Sequence, residues 1–147
     1  MNKAKSLADF QLPRWQQLPS VPLYLEQVLA LLEEWLGPYL GKEDGTILTK
    51  TMINNYVKLH FIQPPVRRKY DRLTLASLFV IAVLKPVYTI EEIGYLIRIS
   101  LGHSDQQAAY DDFCDCAEAA VSHAFHQTTM ERNTKAGDPR LLHWNDS

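Results

Sequence analysis

Between Thr51 and Lys69 the chain carries side chains whose chemistry suits the reading of a nucleic-acid duplex. An asparagine amide presents a donor and an acceptor side by side, the pair that matches N6 and N7 of adenine, and a threonine methyl can meet the methyl of thymine. Asn54, Asn55 and Thr51 supply these groups. At helical spacing they gather with Lys58 on one side, opposite Met52, Ile53, Tyr56 and Val57. A few residues later, behind Gln63-Pro64-Pro65, comes the basic run Arg67-Arg68-Lys69. Its cations, with Lys58, suit phosphate oxygens rather than base edges. The arrangement expected is a helix over about 49–60 in the major groove and a small basic wing at 66–70 against the sugar-phosphate backbone.

Other chemistries are less well served. Cys114, Cys116, His103, His123 and His126 have the types of soft metal ligands. On a helix, however, Cys116 lies about 200° from Cys114 and His123 two turns beyond it, so neither a shared metal shell nor a disulfide is expected. No Gly-rich phosphate loop, zinc-spaced His-Glu pair or nucleophile beside a base stands out. The expectation is a protein that is not an enzyme, with no metal and no cofactor.

Charge is arranged in the same sense. The formal net charge is -2, but from Thr46 to Ile90 seven basic residues face a single acid, Asp71, while the rest of the chain holds 8 basic and 16 acidic residues. A polyanion would attract the middle of the chain and repel its flanks. With 147 residues, 46% of them hydrophobic, one core is the expectation. The first residues lack an apolar run of signal length, and the longest apolar stretch, Leu75 to Leu84, is too short for a membrane span. A cytoplasmic location without membrane association follows as an expectation.

The elements that would position the polar face can be read from caps and periodicity. Residues 1–19 read as an extended arm whose aromatic packs on the body. Ser20 offers an N-cap, with Pro22 in the first turn, for a helix carrying Leu25, Val28, Leu29, Leu32, Trp35 and Leu36 until Gly37-Pro38 stops it. After the polar turn Gly41 to Gly45, Thr49 or Thr51 caps the second helix, which runs to about His60. Asp71 caps a third, Leu73 to Lys85, apolar on nearly every side and so central, and Pro86 ends it. Thr89-Ile-Glu-Glu92 forms a capping box for a fourth with Ile90, Ile93, Leu96 and Ile97 inward, ended by Gly102. Ser104-Asp-Gln-Gln107 opens a fifth that runs past His126. Its stripe is Tyr110, Phe113, Ala117, Ala120, Val121 and Ala124, and its outer face, Asp111, Asp112, Asp115 and Glu118, is expected in water. Beyond about Met130 a polar tail, 131–147, is held only by Leu141, Leu142 and Trp144. The class is all-α, with strand only in the wing, and 20–130 form a single helical domain.

Thr51-Met-Ile-Asn-Asn-Tyr56, Phe61-Ile-Gln-Pro-Pro65, Arg67-Arg68, Tyr70 and Thr89-Ile-Glu-Glu-Ile93 resemble, in order and spacing, the recognition helix, wing and following helices of MerR-type regulators. Leu23-Tyr-Leu-Glu-Gln-Val28 and Leu48 to Lys58, with Lys69-Tyr70, are similar to an uncharacterised bacterial domain-of-unknown-function family with a MerR-like head, over roughly Leu12 to Phe125. The resemblance implies a winged helix-turn-helix and a transcriptional regulator. It places Asn54 where an arginine contacts DNA, Tyr56 where a tyrosine contacts phosphate, and Arg67 or Arg68 on the wing; Tyr70 closes that wing. By their apolar neighbours, Tyr56 and Tyr70 equally suit the core. The stretch Gly37 to Leu48 is longer than the tight turn of the pattern.

The expected partner is double-stranded DNA. A homodimer would set two recognition helices about one DNA turn, roughly 34 Å, apart, with Ala117, Ala120 and Ala124 allowing close helix approach. A small-molecule effector is not identified by the residues. The alternative expectation is a non-catalytic adaptor that uses the same scaffold and polar face to dock an acidic protein.

Overall fold

The structure is a computed structural model that describes residues 7–40, 47–101 and 105–137, with 129 and 131–137 described by their backbone alone. In chain order the elements are β1 (Leu23–Tyr24), α1 (Leu25–Leu40), α2 (Lys50–Lys58), β2 (Lys69–Tyr70), α3 (Arg72–Leu84), α4 (Ile90–Leu101) and α5 (Gln106–Gly137). Single 3-10 turns at Leu7–Asp9 and Trp15–Gln17 precede them. The chain is thus mostly helical with a small two-stranded sheet.

The organising element is α3. Asp71 accepts a hydrogen bond from Thr74 N at 2.8 Å, satisfying one of the free amides of the first turn. Every residue from Thr74 to Ala82 is then buried, so no face of the helix is left for water. Helices α1, α4 and α5 all pack against it. In α1 the residues Val28, Leu32 and Leu36, one turn apart, are wholly buried, as the stripe predicts. Each such burial stabilises the fold by about 1.5–3 kcal/mol before the entropy of ordering is set against it.

Several boundaries differ from the sequence reading. Ser20 does not cap α1: the chain first pairs as β1, and Gln27 Oε1 accepts from Tyr24 N at 2.9 Å where the helix starts. Gly37-Pro38 does not stop it either, and Pro38 lies inside the last turn. That turn is held from outside, because the Tyr39 hydroxyl donates to Asp9 O at 2.8 Å and the Tyr39 ring meets Phe10 edge-on at 5.2 Å. The all-helical expectation, with strand confined to the wing, missed β1. It pairs antiparallel with β2, Leu23 opposite Tyr70 and Tyr24 opposite Lys69.

In α4 the capping box forms as read: Thr89 N donates to Glu92 Oε1 at 2.8 Å, and Glu92 N donates to Thr89 Oγ1 at 3.2 Å. The bond from Thr89 N holds the Glu92 carboxyl below the usual carboxylate range. The inner face is Ile93, Gly94, Ile97 and Leu101, whereas Leu96 is exposed. At Gly94 a Cβ would lie 2.3 Å from the Phe61 ring, so a larger residue there requires that ring to move.

Residues 10–18 pack into the body over more than one aromatic. Phe10, Leu12 and Leu18 belong to the core, and side chains of α5 grip the backbone between Leu12 and Trp15. Glu118 accepts from Leu12 N at 2.8 Å, Asp111 from Trp15 N at 2.8 Å, and the Tyr110 hydroxyl donates to Pro13 O at 2.8 Å. Arg14 completes the clamp on Glu118 at 2.7 Å and Asp115 at 2.6 Å. Of the four acids expected in water, Asp112 and Asp115 are exposed, Asp115 while pairing with Arg14, whereas Asp111 and Glu118 are half-buried against this second segment of chain.

The stripe on α5 also shifts. Tyr110 and Cys114 are buried, Phe113, Ala117 and Val121 half-buried, and Ala120 and Ala124 exposed. Asp105 accepts from Ala108 N at 3.1 Å at the start of α5, while Ser104, the expected cap, lies outside the described residues. The helix runs on to Gly137 rather than giving way to a tail near Met130. No proline or glycine intervenes before Gly137, and extending an existing helix is inexpensive compared with starting one. The Gly41 to Gly45 turn, Gly102, His103 and the anchors Leu141, Leu142 and Trp144 also lie outside the described residues.

Candidate nucleic-acid interface

Helix α2 is short, so its ends decide its stability. Thr49 Oγ1 accepts from Met52 N at 3.1 Å, resolving the choice between Thr49 and Thr51 as the cap. At the other end His60 N donates to Val57 O and Phe61 N to Tyr56 O, both at 3.0 Å. His60 itself has a φ of 62°. This is the Schellman closure, with histidine in the left-handed position that glycine usually fills. The helix therefore ends at Lys58 rather than at His60.

Two anchors, Ile53 and Tyr56, are buried, and the opposite arc is open. Thr51, Asn54, Asn55 and Lys58 are all exposed. Lys50, absent from the predicted set, is exposed one turn before Asn54 and extends the same face. Its spacing of four from Asn54 was the available signal. Tyr56 does not belong to this face. It is 6% exposed, and burial pushes its hydroxyl pKa up, so it anchors the helix instead of meeting phosphate.

The basic wing is a tight hairpin. Val66 N donates to Lys69 O and Lys69 N to Val66 O, both at 3.0 Å, leaving Arg67 and Arg68 as a two-residue loop. Their φ values are 55° and 67°. Positive φ at both central positions defines a type I′ turn, the form whose twist matches antiparallel strands and which asparagine and glycine normally occupy. Two consecutive arginines in this conformation are costly, because a Cβ crowds the carbonyl oxygen in left-handed backbone. In return both side chains are exposed at the tip, and neither makes an ion pair with any described residue.

Behind the tip the hairpin is fastened to the body. Its second strand pairs with β1, and the Lys69 ammonium sits 5.0 Å from the centre of the Tyr24 ring. Lys69 is accordingly half-buried, a part of the joint as much as a free cation. Tyr70 is 6% exposed, with its hydroxyl pKa raised by burial, and is core rather than contact. Arg72 is engaged too: it lies 5.6 Å from the Trp15 ring and its Nε donates to Pro19 O at 3.4 Å.

Of the nine predicted contact residues, six are thus exposed on α2 or the hairpin tip (Thr51, Asn54, Asn55, Lys58, Arg67 and Arg68), one is half-buried and two are buried. The two cysteines occupy different surroundings. Cys114 is buried with its thiol 3.6 Å from Pro13 O, and burial pushes its pKa up to about 11, whereas Cys116 is exposed. No group of three or more potential ligands converges on a metal position among the described residues. No described helix is long and apolar enough to cross a membrane.

Neither a curated protein nor a solved structure matches the chain. One family model does, and it spans residues 13–113, from the clamped proline through the hairpin and α4 to the first turns of α5. By that match the chain belongs to the family described as Domain of unknown function (DUF1836).

Proposed function

We propose that the protein is a DNA-binding transcriptional regulator whose head is a winged helix-turn-helix of the MerR type, with α2 as recognition helix and the Val66–Lys69 hairpin as wing. The observation that carries this reading is the hairpin tip, where two arginines stand exposed in a backbone conformation that costs stability. Strain of this kind is retained where the exposed groups have a task. The open arc of α2 supports the same reading with amides that can bond adenine and a methyl-bearing Thr51, flanked by Lys50 and Lys58. In this reading Asn54 and Asn55 specify sequence, and Arg67, Arg68 and the lysines set affinity through phosphate. The molecule acts in the cytoplasm as a homodimer through α5, whose 32 residues span about 48 Å.

The test is selection of bound fragments from genomic DNA by the purified chain, followed by titration of a selected duplex at several salt concentrations. A steep salt dependence is expected, with Arg67→Glu and Arg68→Glu weakening every duplex alike. No enrichment, together with no gel shift in low salt, refutes DNA binding. A second reading, a non-catalytic adaptor, is favoured by exposed apolar side chains on α4, Tyr95 at 63% and Ile99 at 45%, one turn apart. A protein partner recovered after nuclease treatment, with the duplex assays negative, would select it.

A further inference from the structure

A cavity of about 260 Å³ lies where the end of α2 meets α3, α4 and the start of α5. Its walls are of two kinds. Phe61, Ile97 and Leu101 supply apolar surface, while the hydroxyl residues Thr74 and Ser77 of α3 lie on its inner side and Arg98, Gln63 and Gln106 also line it. Thr74 and Ser77 are each 4% exposed, unusual polar residues in a helix that is otherwise the core. The Ser77 hydroxyl donates back to Leu73 O at 3.0 Å and so keeps a lone pair for another donor. No carboxylate lines the cavity, and Arg98 makes no ion pair with any described residue. An apolar wall with a few polar groups and a guanidinium that pairs with no described acid is the composition of a small-ligand site.

We infer that this cavity binds a compact organic acid, its carboxylate on Arg98 and its apolar body against Phe61 and Ile97. The volume falls just under the roughly 300–1,000 Å³ of drug-sized pockets, so the ligand is of small-metabolite size. Guanidinium matches carboxylate with two parallel hydrogen bonds, a geometry no neutral amide can copy. The site is placed to act on α2. Phe61 both lines the cavity and closes the helix through its amide on Tyr56 O, and Gln63 leads from the cavity towards the hairpin. A ligand that favours one position of Phe61 therefore biases the end of α2. This consequence rests on the DNA-binding reading; the binding itself does not.

The experiment is an amide NMR titration of the full chain with benzoate as the probe acid and benzamide as its neutral counterpart. Saturable shifts at Phe61, Gly94, Arg98 and Gln106 are expected in the millimolar range or tighter. Binding should weaken about tenfold or more both for benzamide and in Arg98→Gln, an exposed substitution that leaves the core untouched. No saturation, shifts that map elsewhere, or equal binding of the two probes overturns the assignment. Duplex affinity measured with and without benzoate then tests the coupling. A change that disappears in Arg98→Gln supports it, and an unchanged affinity at saturation overturns it. A chain that binds no duplex at all fails the preceding reading, while the titration still decides the cavity.

Discussion

Replacing the hairpin tip Arg67-Arg68 by Asn-Gly separates what the arginines cost the fold from what they contribute to binding. Both residues have positive φ, at 55° and 67°. Left-handed backbone costs an L-residue with a full side chain about 1–2 kcal/mol, a cost that asparagine reduces and glycine escapes. Glycine returns part of the gain, roughly 0.5–1 kcal/mol, through the greater freedom it adds to the unfolded chain. The double variant R67N/R68G should therefore be more stable by about 1–2 kcal/mol, which for a chain of this length raises Tm by roughly 2–8 °C. Urea and thermal unfolding followed by circular dichroism measure this directly. The same protein should bind duplex DNA more weakly, with the slope of log affinity against log salt reduced by about two. R67K/R68K is the control, since it keeps both charges and both strained residues and should leave stability and salt slope near the parent. A variant no more stable than the parent would refute the strain argument. A more stable one with undiminished binding would refute the assignment of the two guanidinium groups to phosphate.

Three further outcomes are expected. Asn54→Ala should weaken binding by about 1–3 kcal/mol at one base pair of a selected site and leave other duplexes unaffected, a pattern read by comparing single-base variants of that site. Gly94→Ala gains helix propensity but places a Cβ 2.3 Å from the Phe61 ring. With overpacking costing about 1–3 kcal/mol and propensity returning about 1, unfolding should show a net loss of up to about 2 kcal/mol. Glu118 is the acid-sensitive part of the N-terminal clamp, its pKa lowered first of all by the hydrogen bond from Arg14 and raised in part by burial. A lowered folded-state value means stability that is complete above the unfolded carboxyl value of roughly 4 and lost as pH falls through the folded value. Trp15 fluorescence should thus change with acid below about pH 4 in the parent, and Glu118→Gln should flatten that response while costing about 1 kcal/mol at neutral pH, after allowance for solvent screening.

Most of what could be read in the chain was local. The caps by Asp71 and by Thr89 with Glu92 were legible because each joins residues three apart, so sequence spacing already determines the geometry, whereas the cap of α2 was left between Thr49 and Thr51. The outward arc of α2 followed from the same periodicity, and Ile53 and Tyr56 fell opposite it. Tyr56 and Tyr70 were the harder cases, since a tyrosine suits a phosphate and a core alike until its neighbours are known. Helix lengths were misjudged where ends are held by distant groups. Pro38 is kept in α1 by Tyr39 on Asp9 and Phe10, about thirty residues earlier in the chain.

By itself the amino-acid order determined the helical class, the order of the five helices, the apolar centre at α3 and the polar arc that faces outward. Only the tertiary structure decided that Leu23–Tyr24 pairs with Lys69–Tyr70, that the acids of α5 clasp the segment around Arg14, and that a cavity opens beside Phe61. The physical reason is separation along the chain. A cap or a helical stripe is enforced by neighbours a few bonds away, whereas a strand pair, a clamp or a void exists only once segments fifty to a hundred residues apart have been brought together by burying the core.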